Sequence, residues 1–388
     1  MKNFTFHNPT KIIFGEKTVS KIGKEAKAYG EKALLVYGKG SIKKNGVYDA
    51  VVKSLKEEGI SFVEYPGVKP NPILSHLNAG IALAKKETVD FILGVGGGSV
   101  VDESKGIAAG AMMTGNVWDF YLGKADVKEA LPVLDILTLP ATGTEMNPTS
   151  VVTNDRTNEK VGRGADPLFP KVSILDPTVT YTIPPDYTAY AVVDAISHLI
   201  EGYFTGEDEW TPIQDGYVEN LVRTIMECGE RMLKNPKDPQ ARATFMWAAT
   251  LAWNGLGVAG IGGFGVPMHM LEHPLSGIYD VAHGAGLSIT IPAWLIWKAK
   301  TDSRKIAQFA RNVLGIEEKD QGAAARRGIE ALKGWFNRIG SPVSFAQAKI
   351  PESDIDSIAD IALALANTWG MDDYMNRDLI VKLYRLCL

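Results

Sequence analysis

Hydrophobic and polar positions divide the chain into two regions that differ in periodicity. In roughly the first 180 residues, apolar runs of strand length alternate with stretches whose apolar residues recur every three or four positions. The runs KALLVYG (32–38) and DFILGV (90–95) both lead into glycine, and VYDAVVKSLKEEG (47–59) between them has helical spacing. This alternation predicts a mostly parallel sheet with helices on both of its faces.

Three further apolar runs are predicted to be strands: SFVEY (61–65), LPVLDILTLPAT (131–142) and VSILDP (172–177). After TYTIPPDYTA, where two prolines stand together, the pattern becomes one of long helices. The first three predicted helices span 187–205, 211–233 and 239–260. We therefore predict an α/β domain over 1–180 and an all-α domain over 181–388.

The composition of the chain limits the classes of protein to which it can belong. The chain is 45% hydrophobic and 22% charged with a net charge of −4, which is typical of a soluble globular protein. It has no basic patch with interleaved aromatic residues, so we expect no nucleic-acid partner. The two cysteines exclude a disulfide framework and favour a reducing, cytoplasmic setting. No apolar run is long enough for a signal peptide or a membrane span, so we expect no membrane partner.

The stretch GVGGGSVVDESKGIAAGA (94–111) follows a predicted strand and leads into a helix of small residues. Successive glycines permit positive φ and a close approach of the backbone to a ligand, and a helix N-terminus favours phosphate. The spacing is neither G-x-G-x-x-G nor a Walker A loop, since position 99 is serine. We interpret this stretch as a dinucleotide-phosphate loop, with a tight strand-to-helix turn as the alternative.

A second glycine loop, YGKGSIKKNG (37–46), also leaves a predicted strand. In a doubly wound sheet this position can hold an adenosine ribose, where a carboxylate would favour NAD. Residues Gly38 to Ser41 contain no carboxylate, and three lysines, Lys39, Lys43 and Lys44, lie near. The loop therefore favours NADP, with a solvated lysine cluster as the alternative.

The stretch YTAYAVVDAISHLIEGYF (187–204) is apolar nearly all round, which predicts a buried helix. Asp194 and His198 are four residues apart, so they share one face of that helix. An unpaired carboxylate in such a helix would be costly. A cation shared by both side chains would remove that cost, and an Asp–His hydrogen bond in the core is the alternative.

Three of the six histidines lie within HMLEHPLSGIYDVAHG, namely His269, His273 and His283. With the first pair, Asp194, His198, His269 and His283 would form an N₃O set suited to Fe²⁺ or Zn²⁺, between which ligand type does not choose. The same stretch fits H-x-x-E-H, an inverted zinc-peptidase motif with Glu272 as general base. The peptidase interpretation leaves the glycine loop and the Asp194–His198 pair without a role.

The glycine loop and the downstream Asp–His₃ set together resemble the iron-containing (group III) alcohol dehydrogenases along essentially the whole chain. The segments that carry the resemblance are FHNPTKIIFG, GVGGGSVVDESK, PATGTEMN, SILDP, VDAISHLIE and HMLEHPLSGIYDVAHG. The branch of butanol dehydrogenases and broad aldehyde reductases is the most similar. The resemblance implies a dehydroquinate synthase-like architecture, with a dinucleotide-binding α/β domain followed by a helical metal-binding and catalytic domain.

The resemblance also implies residue roles. The metal ligands would be Asp194, His198, His269 and His283, whereas His273 would lie near the nicotinamide as a catalytic residue. Ala282 stands where many members have proline, which leaves the His283 ligand intact. The implied cofactor-binding residues are Gly38, Lys39, Ser41, Gly96, Gly97, Gly98, Ser99, Asp102, Thr138, Thr142, Asn147 and Lys160. Some members have aspartate at the position of Lys39, so its absence favours NADP over NAD.

The implied function is interconversion of primary alcohols and aldehydes, of the butanol–butanal kind, with NAD(P)(H) and a metal. Related folds act on polyols or sugar phosphates, but the segment from Val258 to Gly286 contains no lysine or arginine for a phosphate. A non-catalytic nucleotide-binding protein is a third hypothesis, which would need no metal with an open position. By analogy with relatives we expect a homodimer, with FTFHNPTKIIF as an interface strand.

Overall fold

The computed structural model describes residues 1–388. Eight strands form, and in chain order their bounds are β1 (Lys11–Phe14), β2 (Lys32–Tyr37), β3 (Ser61–Pro66), β4 (Phe91–Gly97), β5 (Val133–Leu139), β6 (Thr149–Asn154), β7 (Glu159–Gly164) and β8 (Val172–Leu175). Six of them make one sheet of order β1-β8-β5-β4-β2-β3, in which every pairing is parallel. This confirms the predicted parallel sheet.

Fifteen helices form, mostly after residue 184. Their bounds are α1 (Ile22–Ala26), α2 (Ser41–Lys44), α3 (Val47–Glu57), α4 (Leu74–Glu87), α5 (Gly98–Met112), α6 (Trp118–Tyr121), α7 (Pro185–Thr205), α8 (Pro212–Lys234), α9 (Pro239–Ala252), α10 (Pro267–Tyr279), α11 (His283–Lys298), α12 (Arg304–Asn312), α13 (Gln321–Arg338), α14 (Ile355–Thr368) and α15 (Arg377–Arg385). None is long and apolar enough to cross a membrane.

The strand order places both glycine loops at one point of the sheet. From β2 the chain adds β3 on one side, then returns to add β4 on the other side of β2. In open α/β sheets, ligands bind at the carboxyl ends of strands where the order reverses in this way. Gly38 directly follows β2 and Gly97 ends β4, so both glycine stretches flank this switch point.

The central strands are buried on both faces, as their continuous apolar runs predict. Residues Leu34 and Leu35 of β2, and Ile92 and Leu93 of β4, have no exposed surface. The antiparallel hairpin of β6 and β7 was not predicted. Its strands carry charged and polar residues such as Lys160 and Arg163, so the apolar alternation that marks a half-buried strand is weak.

The chain packs as two compact units. One comprises His7–Ile183 with Pro236–Asn254, and the other comprises Met1–Phe6, Pro184–Asn235 and Gly255–Leu388. The prediction of two continuous domains, 1–180 and 181–388, is therefore wrong for two segments. The N-terminal hexapeptide packs in the helical unit, where Lys2 N donates to Gly260 O at 2.8 Å. Helix α9 packs in the α/β unit, where Thr250 bonds Glu145 at 2.5 Å.

The third predicted helix was too long. Its prediction ran over 239–260, but α9 ends at Ala252. Gly255 has φ 93°, a left-handed conformation that no α-helix continues through. A short 3₁₀ turn, Leu256–Val258, follows. The other two predictions, 187–205 and 211–233, lie within two residues of α7 and α8.

In the helical unit, α11 begins in very close contact with α7. A Cβ atom added at Gly284 would lie 1.9 Å from the backbone oxygen of Tyr190, on α7. No side chain can occupy that space without moving one of the two backbones. Gly284 therefore sets how closely the N-terminus of α11, which carries His283, approaches α7, which carries Asp194 and His198.

We predict that Gly284→Ala lowers the free energy of unfolding by about 1–3 kcal/mol, because the added methyl group forces two helices apart. Gly216→Ala is the matched control, since Gly216 lies within α8 and an added Cβ meets nothing within 4 Å. That change should instead stabilise by roughly 0.5–1 kcal/mol. Urea titration measures both. Equal effects of the two substitutions would contradict the close contact.

Candidate metal centre and nucleotide-binding loops

Four predicted metal ligands from three helices meet in the helical unit. Asp194 and His198 lie one turn apart on α7, His269 lies in the first turn of α10, and His283 begins α11. One ligand atom from each of Asp194, His198 and His269 lies within 4.8 Å of the other two. His283 Nε2 lies 4.0 Å from Asp194 Oδ1. The structure thus brings the whole predicted set together.

Each of the three histidines has its Nδ1 atom beside an oxygen acceptor. The pairs are His198 with the Asp194 carbonyl at 2.9 Å, His269 with Glu201 Oε1 at 2.8 Å, and His283 with Glu272 Oε2. A histidine that donates from Nδ1 keeps the Nε2 lone pair for a metal. The set therefore offers three imidazole nitrogens and one carboxylate.

Asp194 shows that this set fits a cation. Its Oδ1 is buried and makes no hydrogen bond, although it lies 3.2 Å from His198 Nδ1. Burial alone would raise the pKa of Asp194, but interactions with His283, His198 and His269 outweigh burial and hold this pKa below its ordinary value. An ionised, buried oxygen without a hydrogen bond, facing imidazoles, suits Fe²⁺ or Zn²⁺.

His273 lies beside the set rather than within it. Its ring centroid is 5.5 Å from that of His283 and 6.4 Å from that of His269, and it packs edge-on against Trp369 at 5.0 Å. It is 3% exposed. Together with Glu272 and His283 it also forms a second possible ligand group.

The position of Glu272 argues against the peptidase interpretation. A general base must face the open metal position to activate water. Glu272 is instead fully buried, and it bonds Nδ1 of His283 and the hydroxyl of Ser276. The motif H-x-x-E-H is therefore a coincidence of spacing, and its glutamate supports a histidine.

In the α/β unit, the predicted cofactor residues follow three neighbouring strands. Gly38, Lys39 and Ser41 follow β2, whereas Gly96 to Ser99 end β4 and begin α5. Thr138 lies in β5 and Thr142 follows it, and the order β5-β4-β2 makes these strands adjacent. The structure brings Gly98 and Thr142 into contact, since a Cβ at Gly98 would lie 2.6 Å from Thr142 Oγ1.

The glycines of the first loop serve close packing rather than positive φ. None of residues 94, 96, 97 and 98 has a left-handed conformation. A Cβ at Gly96 would lie 2.4 Å from Val100, and one at Gly94 would lie 2.7 Å from Ser104. The expected positive φ is therefore wrong here, because a bare backbone is needed for α5 to pack on β4. Gly40 in the second loop does have φ 114°.

Lys105 is a residue that the sequence interpretation missed. It lies on α5 with no exposed surface. Its ammonium has four oxygen acceptors: Thr144 O at 2.6 Å, Thr144 Oγ1 at 2.7 Å, Asn147 O at 2.8 Å and Thr149 O at 2.9 Å. Burial lowers its pKa to about 8, against the opposing charge of Asp102, so the amine is protonated at neutral pH.

Lys105 thus holds the segment 144–149 against the glycine-loop helix. Thr144 in turn donates to Asp102 Oδ1 at 2.6 Å. Asn147 donates to Gly143 O at 2.8 Å and accepts from Thr149 N at 2.8 Å, so its amide braces the segment. These internal bonds occupy Asp102 and Asn147, whose predicted cofactor contacts remain predictions.

Lys160 lies on β7 and is 5% exposed. Burial raises the pKa of Asp102 to about 6, and the charges of Lys105 and Lys160 oppose this rise. The charge of Lys160 thus acts on Asp102, which lies on α5. The predicted contact of Lys160 with the nicotinamide ribose remains a prediction.

The lysines after β2 do not act as one cluster. Lys43 pairs with Glu64 of β3 at 3.0 Å, and its ammonium lies 4.4 Å from the ring centroid of Tyr48. Hydrogen bonds from Tyr37 and Tyr48 hold the pKa of Glu64 at about 2, so this carboxylate is ionised. Lys43 is therefore engaged by a residue outside the loop, whereas Lys39 is exposed.

Comparison with known proteins agrees with this geometry. Residues 9–177 match the model of iron-containing alcohol dehydrogenases, and residues 188–388 match the C-terminal model of the same family. The crystal structure of NADH-dependent butanol dehydrogenase A from Thermotoga maritima is 46% identical with a TM-score of 0.96, over 100% of this chain and 99% of that one.

Two curated relatives are also similar over most of their length. Probable NADH-dependent butanol dehydrogenase 1 of Bacillus subtilis is 40% identical over 100% of both chains. NADPH-dependent aldehyde reductase YqhD of Escherichia coli is 36% identical over 92% of both chains.

The chain therefore belongs to the family of iron-containing alcohol dehydrogenases. This membership confirms the resemblance seen in its motifs, the predicted fold class and the predicted enzyme class, an NAD(P)-dependent oxidoreductase of alcohols and aldehydes with Fe²⁺ as its metal. The peptidase and the non-catalytic hypotheses are thereby excluded.

We predict that Lys105→Met lowers the free energy of unfolding by roughly 3–5 kcal/mol, because it leaves the buried oxygens and Asp102 without their cation. Lys53→Met is the control, since Lys53 is exposed and its ion pair with Glu57 spans 3.8 Å. Its substitution should change stability by less than about 0.5 kcal/mol. A Lys105→Met protein as stable as the control variant would refute the role assigned to Lys105.

Proposed function

We propose that this protein interconverts primary alcohols and aldehydes of the butanol–butanal kind by hydride transfer with NADP(H). The observation that supports it most is the buried Asp194 oxygen, without a hydrogen bond and facing three imidazoles. Relatives that are named butanol dehydrogenases and aldehyde reductase support the substrate class. The absence of lysine and arginine from Val258 to Gly286 favours an uncharged substrate.

In this proposal Asp194, His198, His269 and His283 hold the metal. The bound metal supplies Lewis acidity to the substrate oxygen, and the nicotinamide accepts or donates the hydride. Of these four residues only Asp194 carries a negative charge, so a divalent ion held there would keep net positive charge.

His273 is proposed to move the proton. It lies one helical turn after His269 on α10, and its ring is 5.5 Å from that of His283. In this role its imidazole accepts the alcohol proton during oxidation and returns it during reduction. Its near-complete burial limits exchange of that proton with bulk water.

NADP is proposed over NAD on the chemistry of the second loop. Residues Gly38 to Ser41 carry no acid to repel a 2′-phosphate, and Lys39 is exposed there. Lys43 contributes less positive charge to this loop than its position in the sequence suggests, because it pairs with the carboxylate of Glu64. Lys39 is therefore the cation that we assign to the phosphate. NAD binds by the same loops without this pair.

We also propose a cytoplasmic homodimer. Strand β1 forms an edge of the sheet, with β8 as its only neighbour, and Phe14 at its end is 43% exposed. An edge strand offers unpaired N–H and C=O groups to a second chain. Part of the segment FTFHNPTKIIF is thus used within the chain's own sheet, and the open side of β1 would form the interface. Light scattering that gives a monomer mass would refute the dimer.

The test of the proposed function is an anaerobic assay with butanal after chelation, in which Fe²⁺ or Zn²⁺ is added back. We predict no NADPH oxidation by the chelated protein and restored oxidation after metal addition. We also predict a kcat/KM that is higher with NADPH than with NADH, because of Lys39. Measurable NADPH binding without turnover under any metal would overturn the proposed function.

Two histidine variants separate the ligand role from the proton role. We predict that His283→Ala loses the metal and at least about a hundredfold in turnover, while its circular dichroism is unchanged. His273→Ala should keep the metal content of the wild type and lose rate by about 10²–10⁴-fold, with an altered pH profile. A metal-free His283→Ala protein with retained activity would contradict the ligand assignment.

A further inference from the structure

We propose that Glu272 is a positioning residue for the metal centre, which holds the ring of His283 from the neighbouring helix. The inference rests on the proposed function, in which His283 is a ligand. Glu272 lies on α10 with no exposed surface, and its Oε2 bonds Nδ1 of His283, the first residue of α11. The side chain that presents Nε2 to the metal is thus held at its opposite edge.

The second oxygen of Glu272 connects to the segment between the two helices. Ser276 Oγ donates to Glu272 Oε1, and the same hydroxyl lies 3.0 Å from the carbonyl oxygen of Val281. Residues 280–282 join α10 to α11, and Asp280 has a left-handed φ of 54°. Glu272 and Ser276 therefore stabilise the turn that delivers His283 to the site.

The carboxylate of Glu272 packs closely against helix α11. A Cβ atom added at Gly286, one turn into α11, would lie 2.6 Å from Glu272 Oε1. The carboxylate consequently lies directly against the α11 backbone. Such packing fixes the acceptor, and a fixed acceptor fixes the rotation of the His283 ring.

The three ligand histidines differ in how they are held. His198 uses a backbone carbonyl of its own helix, whereas His269 uses Glu201. Glu201 Oε1 also accepts from the backbone N–H of His269 at 2.8 Å, so it caps the N-terminus of α10 as well. Replacing Glu201 would disturb a helix terminus. Glu272 bonds the side chains of His283 and Ser276, so its replacement is the clearer test of how a ligand histidine is held.

Two substitutions of Glu272 should weaken metal binding to different extents. Glu272→Gln retains the volume and an oxygen that can accept from His283, but it removes the negative charge. Glu272→Ala removes both. We expect the dissociation constant for Co²⁺ to rise by about tenfold in Glu272→Gln and by about a hundredfold in Glu272→Ala, which is the range for residues that orient metal ligands.

The control is chemically matched and lies in the other unit. Glu103 is also fully buried on a helix, and its Oε1 bonds Nδ1 of His76. Glu103→Gln therefore removes a buried carboxylate from a histidine that belongs to no predicted metal set. It should leave the Co²⁺ dissociation constant within about twofold of the wild type, whatever it does to stability.

The experiment measures Co²⁺ binding to chelator-stripped full-length protein by competition with a chromophoric chelator, and records the visible absorption of the bound Co²⁺. The expected result is the graded loss of affinity with an altered Co²⁺ spectrum in both Glu272 variants. Unchanged affinity and spectrum in Glu272→Ala would overturn the inference. If Glu272→Ala fails to fold, Glu272→Gln decides by the same criterion. Wild-type protein that binds no Co²⁺ would instead overturn the proposed function.

Discussion

A single buried carboxylate constrains the helical unit. Asp194 lies in a helix most of whose residues are buried, and burial by itself disfavours its charged form. An ionised carboxylate there needs cationic or hydrogen-bonding neighbours, or it destabilises the fold by several kcal/mol. The imidazoles of His198, His269 and His283 surround this carboxylate. Those rings come from three helices, so the site depends on how α7, α10 and α11 pack, including the close approach at Gly284.

The α/β unit contains a buried charge of the opposite sign. Lys105 is a fully buried cation, and it is stabilised by oxygens of the segment 144–149 and, through Thr144, by Asp102. The phosphate loop is thereby attached to the segment that follows β5. Both units thus place one buried charge beside the residues predicted to bind a ligand, and in each case the charge organises backbone from distant parts of the chain.

Local spacing predicted the parts that depend on local geometry. The Asp194–His198 pair follows from the helical repeat, and the strands follow from apolar runs that end at glycine. Long-range partners could not be predicted in this way. Glu201 and Glu272 are three residues from predicted ligands, yet their role depends on which helix packs against which.

Likewise, a charged residue at position 105 among small apolar ones signals a special role, but its acceptors lie about forty residues away in sequence. The placement of α9 in the α/β unit depends on the Glu145–Thr250 bond, for which the sequence has no local signal.

The most direct test is an anomalous difference map, recorded at the metal absorption edge from crystals of the Fe²⁺- or Zn²⁺-loaded protein. We predict one peak in the helical unit, bonded to a carboxylate oxygen of Asp194 and to Nε2 of His198, His269 and His283 at about 2.0–2.2 Å. His273 should lie outside the bonding distance. An ion held instead by Glu272, His273 and His283, the other group able to bind one, would contradict both the ligand set and the role assigned to Glu272.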